Sequence, residues 1–326
     1  MLLYVLRRVL ATIPVILGVT IVTFLLMHLT AGSYVPGLDL NPYLRPEDVA
    51  RLRANLGLDR PLYTQYLEWI WGISHGDFGR SMQNASPVIG LILDRLPNTL
   101  ELSGTAMLVG IALSIPLGVT AALRRGTRLD DAITFVSVAG FAVPQFWMAL
   151  ILILIFTVSF KAWGLPWLPS SGTVSALGGG DLVDRLIHLV MPASVLSFVY
   201  VSIWSRFVRS SMLEVLAQDY VRTARAKGMK ESRVVYIHAL RNAVVPLVTL
   251  VGLELPGLIS SGLVVEVVFG WPGIGRLLYE RALEFDYTAV MGVTTFATLL
   301  VITGNLLADV MYGVLDPRIR KSMKSR

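Results

Sequence analysis

The sequence contains no cysteine, which excludes disulfides, thiolate nucleophiles and cysteine metal sites but does not identify a compartment. Its four histidines, His28, His75, His188 and His238, are dispersed, and no H-E-x-x-H pair occurs. A histidine metal centre is therefore not expected. There is no G-x-x-x-x-G-K-S/T stretch, so the chain is not expected to bind or hydrolyse ATP by itself. The glycines at 178–180 precede no Lys-Ser/Thr and read as a flexible turn. G-W-P-G-I-G at 270–275 lacks the preceding strand of a dinucleotide fingerprint, so a turn or short interfacial helix is expected there. No pair of aspartates lies in an apolar run, which removes intramembrane aspartyl proteases.

What remains is grease. Of 326 residues 54% are hydrophobic and 15% charged, with mean hydropathy +0.66, so the chain reads as an all-α integral membrane protein. The net charge of +6 sits in segments between apolar runs rather than on one face of a domain, and no nucleic-acid partner is implied. Six runs reach the about 20 residues that a helix needs to cross the bilayer core: 9–29, 99–123, 132–160, 186–205, 243–265 and 287–307. The first follows Arg7 and Arg8 but exceeds the roughly 7–15 apolar residues of a signal peptide, and reads as a retained anchor.

Of the 28 Lys and Arg residues, 18 fall on the side of the N-terminus. By the positive-inside rule both termini are cytoplasmic. Residues 30–98 then form an extracytoplasmic subdomain, 99–314 a five-helix core, and 315–326 a basic cytoplasmic tail. Within the outer segment Leu62, Tyr66, Trp69 and Ile73 recur at helical spacing, which suits either a helix at the membrane interface or one buried in the subdomain. In the third run Pro144, followed by Gln145, predicts a kink that serves either gating or packing. Glu254, two residues before Pro256, is the most conspicuous intramembrane charge. It lines a pathway, accepts hydrogen bonds where the helix breaks, or pairs across a subunit interface. Asp309 is expected to pair with a basic residue, while Glu101 and His28 lie near the outer ends of their helices.

The long polar interruption at 206–246 carries eight Lys or Arg residues against Glu214, Asp219 and Glu231. Capping-box spacing of Ser211 and Glu214 predicts a helix from about Met212. Leu213, Leu216, Ala217, Tyr220 and Ala224 share a face from which Arg222 and Arg225 point away. Gly228 is expected to end that helix with positive φ, and a second helix to start near Ser232. Small residues at Ala224, Ala226 and Gly228 would admit another protein's surface; the plainer reading is a basic segment lying on anionic membrane lipid.

This stretch resembles the EAA loop of ABC-importer permeases. Aligned on Gly228, the E-A-A positions hold Arg222, Thr223 and Ala224, and Arg241 stands where the loop's later proline is usual. The resemblance to the first permease of dipeptide, oligopeptide and nickel importers covers nearly the whole chain. It is carried by LGLDRPLYTQY at 56–66, GDFGRS at 76–81, RLPNTLEL at 95–102, VPQFWMAL at 143–150, WLPSSG at 167–172, DYVRTARAKG at 219–228, HALRNAVVP at 238–246, VVEVVFGWPGIGR at 264–276 and LLADVMYGVLDPRIR at 306–320. The resemblance implies a multi-pass inner-membrane subunit that pairs with a second, homologous permease. It further implies two cytoplasmic ATPase subunits that bind ATP and Mg, and an extracytoplasmic substrate-binding protein. Within the 206–242 loop it assigns ATPase coupling to Arg222, Thr223, Ala224, Arg225, Ala226, Lys227 and Gly228. A secondary transporter driven by an ion gradient through Glu254 or Asp309, and a scaffold without transport, are the competing readings from the residues alone.

Overall fold

The computed structural model describes residues 2–31, 47, 60–175, 180–259 and 262–315. Much of the segment 30–98, glycines 178 and 179 and the basic tail from residue 316 lie outside the described residues, as does the side chain of Asp309. The described residues are mostly helical and contain no strand, only an isolated bridge between Arg80 and Pro87. Among them five helices are long and apolar enough to cross a membrane: Arg8–Leu29, Val88–Leu123, Gln145–Ala162, Leu182–Leu216 and Tyr287–Leu306. The pair Glu231–Ala243 and Val245–Leu258, bent by 42°, makes a sixth if taken as one span.

The chain divides into two compact units, residues 1–97 with 273–326 and residues 98–272. The first holds α1 (Leu2–Ala31), α2 (Leu62–Ser74), the opening turns of α3 (Val88–Leu123), then α11 (Ile274–Leu283) and α12 (Tyr287–Leu315). Here α1 packs along α12. The helix expected at 62–73 exists and lies against α1: Tyr66 Oη is 2.9 Å from Thr20 Oγ1, and Phe24 touches the rings of both Tyr66 and Trp69. His28 Nε2 lies 3.1 Å from Gln65 Oε1. The motif G-D-F-G-R-S packs on α12 through glycine, since a Cβ at Gly79 would stand 2.6 Å from Thr288 and one at Gly292 would stand 2.7 Å from Val88. Asp286, wholly buried, then accepts from the Ser81 hydroxyl and from the Met82 and Ala289 backbone N–H groups.

The second unit holds the rest of α3, α4 (Arg128–Ala142), α5 (Gln145–Ala162), α6 (Leu182–Leu216), α7 (Asp219–Ala226), α8 (Glu231–Ala243), α9 (Val245–Leu258) and α10 (Leu263–Val268). The 35-residue α6 is its axis. Leu189, Val195, Leu196, Trp204, Val208 and Met212 are buried along it, and small residues let its neighbours approach. Gly110, Ser114 and Gly118 place a small side chain on one face of α3 at every fourth position. A Cβ would lie 2.7 Å from Tyr200 at Gly110 and 2.6 Å from Val208 at Gly118. From α4, Gly140 abuts Phe198 and Ser202, while Ser137 Oγ lies 3.0 Å from Ser205 Oγ.

Three expectations are corrected. The apolar run 132–160 is two helices, not one kinked span: Val143 has ψ 125° and Pro144 has ψ 136°. Proline excludes α geometry from the residue before it and supplies no N–H, so α4 ends and α5 starts anew at Gln145. No helix begins at Met212, because α6 runs on to Leu216 with Val208 and Met212 buried. Ser211 and Glu214 therefore lie within an amphipathic helix and do not form an N-terminal box. Finally, the run 243–265 is not one straight helix: after Glu254 it tightens to 3₁₀ over Leu255–Ile259 around Pro256, and the candidate span here is the bent pair Glu231–Ala243 and Val245–Leu258. Both α3, which starts at Val88, and α6 extend well beyond the apolar cores recognised in the sequence.

Candidate functional site

The polar segment between α6 and α9 is built as helix, turn, helix. Two residues after α6, Gln218 takes an extended conformation and α7 starts at Asp219, whose acidic side chain suits a helix N-terminus. At the other end Gly228 has φ +73°. Its N–H donates to Arg225 O at 2.9 Å, and Met229 N–H donates to Ala224 O at 3.4 Å, the pair of bonds of a Schellman cap. A Cβ at Gly228 would meet nothing within 4 Å. The positive φ, not crowding, is what calls for glycine there.

The seven residues of the expected coupling segment divide between two faces. Val221 and Ala224 are buried with Val234, and Val215, Leu216 and Met229 pack against them. Ala224 thus anchors α7 to its own chain, while Arg222, Thr223, Arg225, Ala226, Lys227 and Gly228 are exposed. Arg225 holds Glu231 with Nε and Nη2 at 3.1 and 2.8 Å, which brings the first turn of α8 across the cap. That guanidinium keeps the Glu231 carboxyl below its ordinary range. Tyr220 Oη accepts from Asn242 Nδ2 at 2.8 Å, a second tie from α7 to the end of α8. The outcome is a short basic helix packed on the end of α6 and tied to α8, with Arg222, Thr223, Arg225, Ala226 and Lys227 exposed.

Close to it is a clamp that the sequence reading did not single out. Arg209, seven residues before the end of α6, donates from Nε and Nη2 to the two oxygens of Asp130 at 2.7 and 2.8 Å, and Gly126 N–H donates to the same carboxylate at 3.0 Å. The Arg209 hydrogen bond, then that of Gly126, lowers the Asp130 carboxyl to about 2. The signal was present as an acid two residues after the R-R-G-T-R stretch at 124–128, but a one-dimensional reading offers it several basic partners.

No hydrogen bond or ion pair joins the intramembrane candidates to one another among the described residues. Glu254 is half-buried at the last α-helical residue before Pro256, and it makes no hydrogen bond or ion pair among the described residues. Pro144 is exposed and caps α5; Gln145, half-buried, starts it. No hydrogen bond joins Gln145 to Glu254 among the described residues. Glu266, in contrast, is fully buried in α10 and accepts from Thr99 Oγ1 at 2.7 Å. Nearby, Arg185 grips Glu101 with Nε at 2.8 Å and reaches Asn98 Oδ1 at 2.8 Å, while Asn98 Nδ2 and O bond Pro272 O and Trp271 Nε1. This network gathers RLPNTLEL and VVEVVFGWPG, whose polar residues flank or interrupt apolar runs. Hydropathy marks them as interruptions but cannot pair them.

Residues 114–321 match the family model described as binding-protein-dependent transport system inner membrane component, and residues 1–103 match its N-terminal companion. The chain is 42% identical to the oligopeptide transport system permease protein AppB of Bacillus subtilis, over 97% of this chain and 98% of that one. It is 39% identical to the dipeptide transport system permease protein DppB of Escherichia coli K12, over 98% and 99%. The di/tripeptide transport system permease protein DppB of Pseudomonas aeruginosa gives the same identity and coverage. Among solved structures, that of an amino acid ABC transporter with histidines shares the fold at 15% identity, with TM-score 0.50 over 70% of this chain and 95% of that one. Matched along nearly its whole length by sequence, this chain belongs to the family of binding-protein-dependent transport system inner membrane components.

Proposed function

We propose that the chain is one permease of an ATP-driven importer of di- or oligopeptides, forming half of the translocation pathway beside a second, similar permease. Two cytoplasmic ATPase subunits, which bind ATP and Mg, dock on the exposed face of α7, and an extracytoplasmic binding protein delivers cargo. The relatives named above, which are permeases of peptide transport systems, support the cargo class. The observation that carries the coupling role is the free face of α7 from Arg222 to Gly228, held rigid by the Schellman cap, the Arg225 pair and the Ala224 anchor. A rigid element transmits displacement to the long helix that precedes it, and coupling requires that the ATPase bind the two permease conformations with different free energy.

In this reading both termini and α7 are cytoplasmic, residues 30–98 are an extracytoplasmic subdomain, and Glu254, Pro256, Pro144 and Gln145 border the pathway or its gate. The test compares Gly228→Asn with Gly228→Trp in the co-expressed complex. Asparagine tolerates the left-handed conformation, so it should keep peptide uptake by proteoliposomes. Tryptophan should leave membrane insertion intact while uptake collapses, through loss of the ATPase or ATP hydrolysis without transport. Parental uptake by a well-expressed Gly228→Trp complex would sink the coupling role of this face.

A further inference from the structure

Between α3, α4 and α6 lies a groove of about 200 Å³, lined by Leu117, Ile133, Val136, Ser137, Phe198 and Ser202 among others. Its two hydroxyls are already engaged within the protein. Ser202 Oγ donates to Phe198 O at 2.7 Å, and Ser137 Oγ donates to Ile133 O at 2.8 Å while meeting Ser205. The wall is therefore apolar in what it offers an occupant. At one end the walls lead to arginines: on α4 Arg128 stands four residues before Ala132 and on α6 Arg206 stands four residues after Ser202, spacings that share one helix face, while Arg124 and Arg125 lie in the turn directly after α3 ends at Leu123. The Asp130–Arg209 clamp ties the α4 and α6 walls together at this end.

All four arginines are exposed, and none of their guanidinium groups makes a hydrogen bond or ion pair among the described residues. Of the acids beside them, Asp130 is committed to Arg209 by hydrogen bonds and attracts Arg125 at longer range, and Asp131 also acts on Arg209. An apolar slot that opens onto exposed guanidinium groups free of hydrogen-bonded acids is complementary in charge and polarity to a lipid with an anionic head. Arginine's planar fork suits a phosphate oxygen pair.

We propose that this groove seats one acyl chain of an anionic phospholipid whose headgroup is held by Arg124, Arg125, Arg128 and Arg206. The site is independent of cargo and of ATPase docking, and it exists whichever way the chain is oriented. Its occupant is a lipid and not a second protein chain, because the cationic rim would have to be matched by acids that an apolar partner helix does not carry.

The test uses the assembled complex in phosphatidylcholine nanodiscs containing a minor share of phosphatidylglycerol with a photoreactive diazirine on its acyl chain. Crosslinks should concentrate on peptides containing Val136 and Phe198, and unlabelled phosphatidylglycerol should compete while phosphatidylcholine does not. Selectivity for phosphatidylglycerol should fall on the order of five-fold for each guanidinium lost, as read with Arg206→Gln and with the triple glutamine variant of Arg124, Arg125 and Arg128. Ala132→Phe, which keeps every charge and fills the slot from an exposed position, should abolish the crosslinks at Val136 and Phe198. The proposal is overturned by crosslinks in the unmodified complex that avoid the groove, whether because a partner chain covers it or because lipid binds elsewhere. That arm needs no variant to fold. Undiminished selectivity in the glutamine variants, or unchanged crosslinks in Ala132→Phe, would overturn it equally.

Discussion

Replacing Asp130 with alanine removes three hydrogen bonds at once, two from the Arg209 guanidinium and one from Gly126 N–H. The Asp130 side chain is 5% exposed and that of Arg209 is 29% exposed, so the two ends of the pair are not equivalent. Breaking a fully buried pair costs about 3–5 kcal/mol, because the surviving charge is stranded. In Asp130→Ala the survivor is Arg209, which reaches water, and the expected cost drops to about 2 kcal/mol. In Arg209→Ala the survivor is a buried carboxylate whose remaining hydrogen bond is from Gly126 N–H, with Arg125 acting at longer range, and the cost should approach the lower end of that range, about 3 kcal/mol. The double variant should be less destabilised than the sum by about 1–2 kcal/mol. Denaturant unfolding in a mild detergent, followed by tryptophan fluorescence, measures all four corners of the cycle. The pH dependence has a definite sign. The folded carboxyl titrates at about 2 against an ordinary 3.8, so the clamp's contribution is complete above the ordinary value and disappears as pH falls toward 2. Equal losses in the two single variants, or strict additivity in the double, would refute the asymmetry argued from exposure.

Gly118→Leu should destabilise the helix pair by about 3 kcal/mol, since the first added carbon already meets Ser205 O and Val208. Gly104→Ala, in the same helix with nothing within 4 Å of the added carbon, should be neutral or stabilising by up to about 1 kcal/mol; thermal melts distinguish the two. Asp286→Asn turns an acceptor of three donors into a side chain that must present its own N–H₂, a loss of about 2 kcal/mol. The loop at 81–86 should then become sensitive to limited proteolysis. Tyr66→Phe removes only the hydroxyl facing Thr20, and α2 should loosen from α1 by about 1 kcal/mol, visible as faster amide exchange in 62–74.

Hydropathy located the membrane runs because burial in lipid demands about 20 apolar residues without regard to partner. It misplaced boundaries wherever a helix continued by periodicity instead of composition. Residues 206–216 are charged on one side yet buried at Val208 and Met212, and only the second property decides that α6 goes on. Pro144 and Pro256 were legible as disturbances, but whether a proline kinks a helix or divides it depends on the backbone of its neighbour, which the sequence does not show. Gly228 was readable because a left-handed cap is a local requirement. Spacing placed Ala224 on the apolar face, but the partner that buries it, Val234, lies ten residues and one turn away and could not be chosen from the sequence. The acid and base pairs Asp130 with Arg209 and Glu101 with Arg185 join residues about 80 positions apart, and a single sequence offers no rule for choosing such partners.

Between Ala142 and Gln145 the chain is extended for two residues. Val143 N–H still reaches back to Ala139 O, but proline donates nothing, and the next backbone bond of this kind is Met148 N–H to Pro144 O. The carbonyls that end α4 and the N–H groups that begin α5 consequently lack helical partners. Hydrocarbon cannot solvate such groups. Phe141, Ala142, Val143 and Pro144 nevertheless lie at the surface of the isolated chain. In a bilayer this short stretch needs a polar neighbour, either water or another polypeptide, so the single chain is an incomplete solute for its own solvent.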